Sequence, residues 1–347
     1  MQIFRENVSR KRLLVFNTIP DSITFHDKGP AEMIFSNGDK CSTACIGCKS
    51  PSCMYYDDSE IECRNLPDFP NDKSTEVCPV GAIKWDTSTE TPKIDDGNCL
   101  HCGLCIKRCP VGALYYDGNV KVVSKKSKYQ EMVAATHDNF EQQKQQLDTI
   151  SSLDRNGCFI HETDALLTSI YEKLASLKSI YHNIVVRNLF IGLDCNCAMR
   201  RIGDVYTRMD AVYLSKRNSF GAVEVEFGKD TLDASRGILD DIAVLNTRYG
   251  IPKSDNRAVV VSLQLPNARQ GYWQVVKDIF NVESIQINTI TIGALLILLW
   301  NNEHFDPVDF SYYVDYDNMD IRSILERHLG RRINLSDKLL GILEPIK

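Results

Sequence analysis

Four cysteines in one short run, Cys99-Leu-His-Cys102-Gly-Leu-Cys105-Ile-Lys-Arg-Cys109-Pro110, constrain this chain more than any other stretch. The spacing is C-x2-C-x2-C-x3-C-P. Cysteines three apart let a short loop wrap three thiolates around the corners of one cuboidal iron–sulfur cluster. The proline turns the chain away, so the fourth thiolate points toward a second site. Of the 13 cysteines only Cys158, Cys195 and Cys197 lie beyond Cys109. That crowding argues for metal ligation in one module, against a disulfide framework spread through a secreted chain.

The run has a partner upstream. Cys78-Pro79-Val80-Gly81-Ala82 repeats Cys109-Pro110-Val111-Gly112-Ala113 residue for residue, and Cys45-Ile-Gly-Cys48-Lys-Ser-Pro-Ser-Cys53 reads C-x2-C-x4-C. Together these resemble the two-cluster bacterial-type ferredoxin family, with residues 54–77 inserted between Cys53 and Cys78. The crossed-ligand rule of that family implies two [4Fe-4S] clusters. One would be held by Cys99, Cys102, Cys105 and Cys78, the other by Cys45, Cys48, Cys53 and Cys109. The insertion leaves a second choice open, since Cys41 could replace Cys53 in a C-x3-C-x2-C reading. Cys63, with Cys41 or Cys53, is then a plain thiol.

A chain of 347 residues exceeds what one compact domain needs, so two domains are expected. Residues 1–123 form the ferredoxin-like module with N-terminal strands at Lys11–Asn17 and Ile23–Phe25. Residues 124–158 are a polar linker and helix, and residues 159–347 a second domain. Ala113–Val123 reads as a hairpin turning at Asp117-Gly118-Asn119. The start lacks an apolar stretch behind a basic one, so no signal peptide is expected. The longest apolar run, Ile290–Trp300, falls well short of the roughly 20 residues of a membrane helix. A cytoplasmic location without membrane contact follows. A net charge of −6 gives no global case for a nucleic-acid coat, though basic clusters stand at Arg10–Arg12, Lys125–Lys128, Met199–Arg201 and Lys216–Arg217.

The second half carries a different pattern. Leu166, Leu167, Ile170, Tyr171, Leu174 and Leu177 follow a helical rhythm over 161–180, and Ile184–Ile191 reads as a strand. Thr207–Leu214 and Ala222–Phe227 alternate as strands of a hairpin over 207–227. It sets Asp210 on one strand and Glu224 and Glu226 on the next. Residues two apart leave the same face of a strand. Carboxylates converging there repel unless neutralised, and a hard divalent cation with oxygen ligands fits. The competing reading is the solvated face of a half-buried sheet. Further elements are a helix at 231–248, a strand at Arg257–Leu265, a helix at 272–280, a strand at Ser284–Ile292 and an apolar helix from Gly293. Helices at Met319–Leu329 and Leu335–Leu343 close the chain. Cys195-Asn-Cys197 has too few ligands for a metal and reads as structural thiols.

This order resembles the PD-(D/E)xK nuclease superfamily over roughly residues 160–302, with Arg208-Met-Asp210 matching the R-x-D form of its first acidic position. The resemblance implies Mg2+ or Mn2+ on Asp210 and Glu224, with a scissile phosphate polarised and a water activated. Glu226 stands where the family has Lys, so Glu226 or Lys229 would position or deprotonate that water, and Glu172 on the preceding helix would add a further carboxylate.

The fold class expected is therefore a two-domain α+β and α/β chain: a ferredoxin-like 2[4Fe-4S] module, then a restriction-endonuclease-like mixed β-sheet flanked by helices. The function expected is a metal-dependent endonuclease with an accessory structural or redox-sensing cluster domain, in restriction or defence. Its partners would be duplex DNA, a redox partner and a second copy of the chain. Two alternatives stand beside it: a ferredoxin-type electron-transfer protein, and a nuclease-like protein that binds nucleic acid without cutting it.

Overall fold

The computed structural model describes residues 53–88, 91–108, 160–204, 206–228, 231–301, 303–306, 312–330, 332–333, 335 and 341–346, with short strands at 22–24, 34–36, 40–41, 114–117 and 121–124. The chain divides into two compact units. The first comprises Met1–Asp57, Thr75–Leu153 and Trp300–Asn302; the second comprises Asp58–Ser74, Asp154–Leu299 and Glu303–Lys347.

Unit one is built from short elements. Strands β1 (Ser22–Thr24), β2 (Ile34–Ser36) and β3 (Lys40–Cys41) form a small antiparallel sheet. Strands β4 (Ile83–Asp86) and β5 (Thr91–Ile94) pair antiparallel, helix α1 spans Leu104–Arg108, and β6 (Leu114–Asp117) pairs with β7 (Lys121–Ser124). The last pair is the hairpin expected at 113–123. The expected strand at Lys11–Asn17, the basic clusters at 10–12 and 125–128, and all but Ser124 of the linker expected at 124–158 lie outside the described residues.

Unit two is a mixed α/β layer structure. Helices α2 (Ile160–Ser176) and α3 (Ser179–Gly192) precede strands β8 (Cys195–Met199), β9 (Ala211–Ser215) and β10 (Phe220–Glu226). Helix α4 (Leu232–Tyr249), strand β11 (Ala258–Ser262), helix α5 (Tyr272–Glu283), strand β12 (Ile287–Thr291), and helices α6 (Ile292–Trp300) and α7 (Arg322–Leu329) follow. The sheet order is β12-β11-β10-β9-β8. The pairs β8–β9 and β9–β10 are antiparallel, whereas β10–β11 and β11–β12 are parallel. Parallel neighbours need long crossovers, supplied by α4 and α5. Helix α3 covers one face, where Phe190 packs on Tyr213 with ring centroids 5.6 Å apart. Helices α4 and α5 cover the other, where Tyr272 Oη and Thr289 Oγ1 lie 2.6 Å apart.

One expectation needs correction. Ile184–Ile191 is not a strand; it lies inside α3. Val185, Val186, Leu189, Phe190 and Ile191 are all buried, and an unbroken apolar run carries no periodicity to separate an enclosed helix from a strand. The first strand of the sheet is instead Cys195–Met199, whose Cys195 and Cys197 are buried core thiols. Every residue of β9, β11 and β12 is buried, whereas Asp210 and the end of β10, Glu224 to Glu226, are half-buried.

The insertion after Cys53 belongs largely to unit two. Asn71 bridges Arg200 antiparallel, and Asp72 N donates to Met199 O at 2.7 Å. Fully buried Arg187 on α3 donates from Nη1 to Ser74 Oγ at 3.3 Å and lies 3.6 Å from Asp72 Oδ1. A guanidinium taken out of water needs such partners. Cys63, in the same segment, is buried and directs its thiol to Val212 O at 3.4 Å.

Candidate functional site

In unit one the loop between β5 and α1 carries Cys99 and Cys102, α1 carries Cys105, and the turn before β4 carries Cys78. Backbone donors already face two of these sulfurs: Ala82 N donates to Cys78 Sγ at 3.2 Å, and His101 N to Cys99 Sγ at 3.3 Å. Positive φ at Gly81 (64°), His101 (60°) and Gly103 (83°) gives the loops the curvature that turns amides toward thiolates. Burial, and then the proximity of Cys78 and Cys99, pushes the Cys102 thiol far above its ordinary range. Ionised thiolates in that pocket need a positive centre, which is what iron supplies. Val77, Ala82, Leu100, Leu104 and Ile106 form a buried apolar surround. Trp300 Nε1 donates to Cys102 O at 3.0 Å, and Arg108 lies over the Tyr56 ring, 4.5 Å from its centroid. Cys78, Cys99, Cys102 and Cys105, the ligands expected for one cluster, are all described, and Cys78 and Cys99 act electrostatically on Cys102. Of the second ligand set, Cys53 is described and buried, while Cys45, Cys48 and Cys109 lie outside the described residues.

In unit two the expected carboxylates do converge. The register pairs Ala222 with Val212 and Val223 with Ala211, so Glu224 continues opposite Asp210. Asp210 Oδ1 accepts from Asn183 Nδ2 at 2.8 Å, and Oδ2 from Val225 N at 3.0 Å. Burial raises the Asp210 carboxyl above its ordinary range against these donors. Burial, then the nearby Asp210, Asp241 and Glu226, pushes Glu224 up to about 9, with Arg200 opposing. Asp241 on α4 is pushed up to about 8 by burial and then by Asp210 and Asp240. It is 1% exposed and its Oδ2 has no hydrogen-bond partner.

The rest of the expected set is less engaged. Glu226 ends β10 and turns its carboxylate back to Gly228 N. Glu172 is exposed on α2 and is not among the groups acting on Glu224. Lys229 lies outside the described residues. Among the described residues no group of three or more His, Cys, Asp or Glu side chains stands ready to hold a metal ion. For the carboxylates the reason is local, since Asp210 spends both oxygens on protein donors.

Three participants were not anticipated: Asn183, Arg200 and Asp241. Asp241 had a legible signal. The buried stripe of α4 runs Ala234, Ile238, Asp241, Ile242, Leu245, so a carboxylate occupies a core position of an amphipathic helix.

Comparison with known proteins bears on unit one. Residues 75–113 match the 4Fe-4S dicluster domain family, a stretch that includes Cys78, Cys99, Cys102, Cys105 and Cys109 and begins downstream of Cys53. The chain is 30% identical over 100 residues to an uncharacterized ferredoxin of Methanocaldococcus jannaschii, covering 26% of this chain and 60% of that protein. It is 31% identical over 81 residues to the beta subunit of a dissimilatory-type sulfite reductase of Archaeoglobus fulgidus, covering 20% of this chain and 22% of that protein. The chain thus spans less than two thirds of the length of either relative. No solved structure matches. These findings support the iron–sulfur half of the expectation; they lend none to a nuclease domain, to Mg2+ or to duplex DNA as partner. Among the described residues no helix is long and apolar enough to cross a membrane.

Proposed function

We propose that this chain is a ferredoxin-type electron-transfer protein whose N-terminal unit carries two [4Fe-4S] clusters. The observation that carries the reading is the cysteine run Cys99–Cys109 inside a segment that matches a dicluster family. Bound clusters supply one-electron chemistry. The chain's own part is to hold sulfur, exclude water and tune charge. Cys78, Cys99, Cys102 and Cys105 take one cluster; Cys45, Cys48, Cys53 and Cys109 take the other. The N–H groups of Ala82 and His101, aimed at ligand sulfurs, stabilise negative charge there and favour the reduced state. Protein purified without oxygen should hold about eight irons per chain and give two overlapping one-electron reductions by potentiometric titration with paramagnetic resonance. Iron near zero after anaerobic reconstitution would overturn the reading.

The geometry of unit two supports a second reading, metal-dependent phosphodiester hydrolysis at Asp210 and Glu224. What favours it is the meeting of these two with Asp241 beside the hairpin of β9 and β10. Mg2+ or Mn2+ there would polarise a phosphate and acidify water. The residues' part is to surrender protons and protein donors: Glu224 and Asp241 must ionise, and Asp210 must exchange Asn183 or Val225 for the cation. Glu226 or Lys229 would position the water. Cutting of labelled oligonucleotides with Mn2+, abolished in Asp210→Ala and Glu224→Ala at unchanged iron content, is the expected result. Absence of cutting on single- and double-stranded DNA and RNA would remove this reading and leave the first intact.

A further inference from the structure

The connection between β8 and β9 displays two large apolar side chains to water: Tyr206 is 81% exposed and Ile202 67%. The backbone beneath them is tied down. Asp204 Oδ1 accepts from both Tyr206 N and Thr207 N at 2.8 Å. Arg248 Nη1 donates to Tyr206 O at 3.1 Å, and Arg200 Nη1 to Thr207 O at 2.7 Å. Gly203 takes φ of 84° to close the turn. Four hydrogen bonds thus hold the backbone that carries an uncovered aromatic ring, which lowers the ordering cost of whatever stacks on it.

The same connection is cationic. It holds Arg200, Arg201 and Arg208, with Arg248 beneath, against two carboxylates: Asp204, whose charge is met by backbone donors, and Asp210, which accepts from Asn183 and Val225. Arg201 and Arg208 are exposed, and Arg208 forms no ion pair among the described residues. The chain as a whole carries −6, so a polyanion could be attracted only locally, and this is such a place. Arg200 also acts electrostatically on Asp210, Glu224 and Asp241, so the loop borders the carboxylate site.

We propose that this loop is a docking site for single-stranded nucleic acid, with Tyr206 stacking on an unpaired base and Arg201 and Arg208 meeting the flanking phosphates. A protruding flat ring reaches a base face only where the base is unpaired, because a duplex hides those faces. The inference deepens the hydrolytic reading, on which it rests for why a strand is brought beside Glu224.

The test uses the full chain with its iron, without added divalent cation, and measures anisotropy of labelled mixed-sequence single-stranded DNA, single-stranded RNA and duplex DNA. The expected result is binding of a single strand in preference to duplex, weakened about tenfold by Tyr206→Ala and retained in Tyr206→Trp. Removing Arg201 or Arg208 should lower the salt slope by about 0.7 for each phosphate lost. Equal binding of duplex, no binding of any strand, or affinity indifferent to Tyr206→Ala would overturn it. Indifference points to a protein partner for the Tyr206 surface. Repeating the assay with Mn2+ separates the two ideas. A strand held through Tyr206 but never cut upholds the docking site and removes hydrolysis, whereas cutting that ignores Tyr206→Ala does the reverse.

Discussion

Gly237 in α4 lies so close to Glu224 in β10 that a methyl group at 237 would come within 2.6 Å of Glu224 Oε1 and 3.1 Å of its Cδ. Helix and strand approach there because one of them has no side chain, and the carboxylate loses its water as a result. Replacing Gly237 by Ala should gain about 1 kcal/mol of helix propensity and lose a similar amount in displacing Glu224. We expect stability to change by about 1 kcal/mol or less, while the high-pH titration of the unit moves down as the carboxylate is pushed outward. Thermal unfolding from pH 5 to 9 in wild type and Gly237→Ala checks both parts.

Glu224, pushed up to about 9, and Asp241, pushed up to about 8, keep protons in the folded chain at pH values where the unfolded chain has released them. The contribution to stability is therefore complete below the ordinary carboxyl range and is lost as pH rises through about 8–9. The two groups act on one another, so the loss belongs to the pair. Glu224→Gln, which needs no proton to be neutral, should flatten this slope and stabilise unit two by about 2–3 kcal/mol at pH 8. Denaturant midpoints at pH 5 and pH 8 decide it; an unchanged slope would mean that water reaches the site.

Cys63 and Cys78 lie on either side of a boundary that chain order conceals. Cys63 is buried in unit two with its thiol toward Val212 O, whereas Cys78 receives the amide of Ala82 in unit one. Cys63→Ala should cost about 1–2 kcal/mol and leave iron per chain unchanged. Cys78→Ala should lose one cluster. The same iron count on Cys53→Ala and Cys41→Ala identifies the ligand between those two: loss with Cys53 alone supports the crossed assignment, and loss with Cys41 alone replaces it.

What could be read from sequence depended on whether a pattern had a period or a fixed spacing. The run Cys99–Cys109 is covalent spacing and needs no tertiary context. The hairpin joining Asp210 to Glu224 was legible for the same reason, since strand alternation is local. Ile184–Ile191 was not, because a fully enclosed helix has no polar face to mark its turns. The fate of residues 58–74 was hidden as well. They leave the cysteine module to meet Arg187 and Met199, partners more than a hundred positions away. Asp241 stood in plain view on the apolar stripe of α4, and its meaning emerges only when Gly237 shows how near that stripe comes to Glu224.

Trp300 Nε1 reaches the carbonyl oxygen of Cys102 at 3.0 Å, which ties down the loop that carries Cys99 and Cys102. The donor meets a carbonyl and not a sulfur, so its direct effect on cluster charge is small. Its loss instead leaves a loop carbonyl short of a partner, a cost of about 1–3 kcal/mol if water cannot reach it, and Trp300 itself is buried. Trp300→Phe keeps the ring and removes only the N–H. It should therefore leave the reduction potential nearly unchanged while speeding the bleaching of cluster absorption by a chelator about tenfold, the rate equivalent of about 1.4 kcal/mol. A shifted potential with unchanged bleaching would show that the indole acts on the cluster through the sulfur of Cys102, and that the loop is held by other contacts.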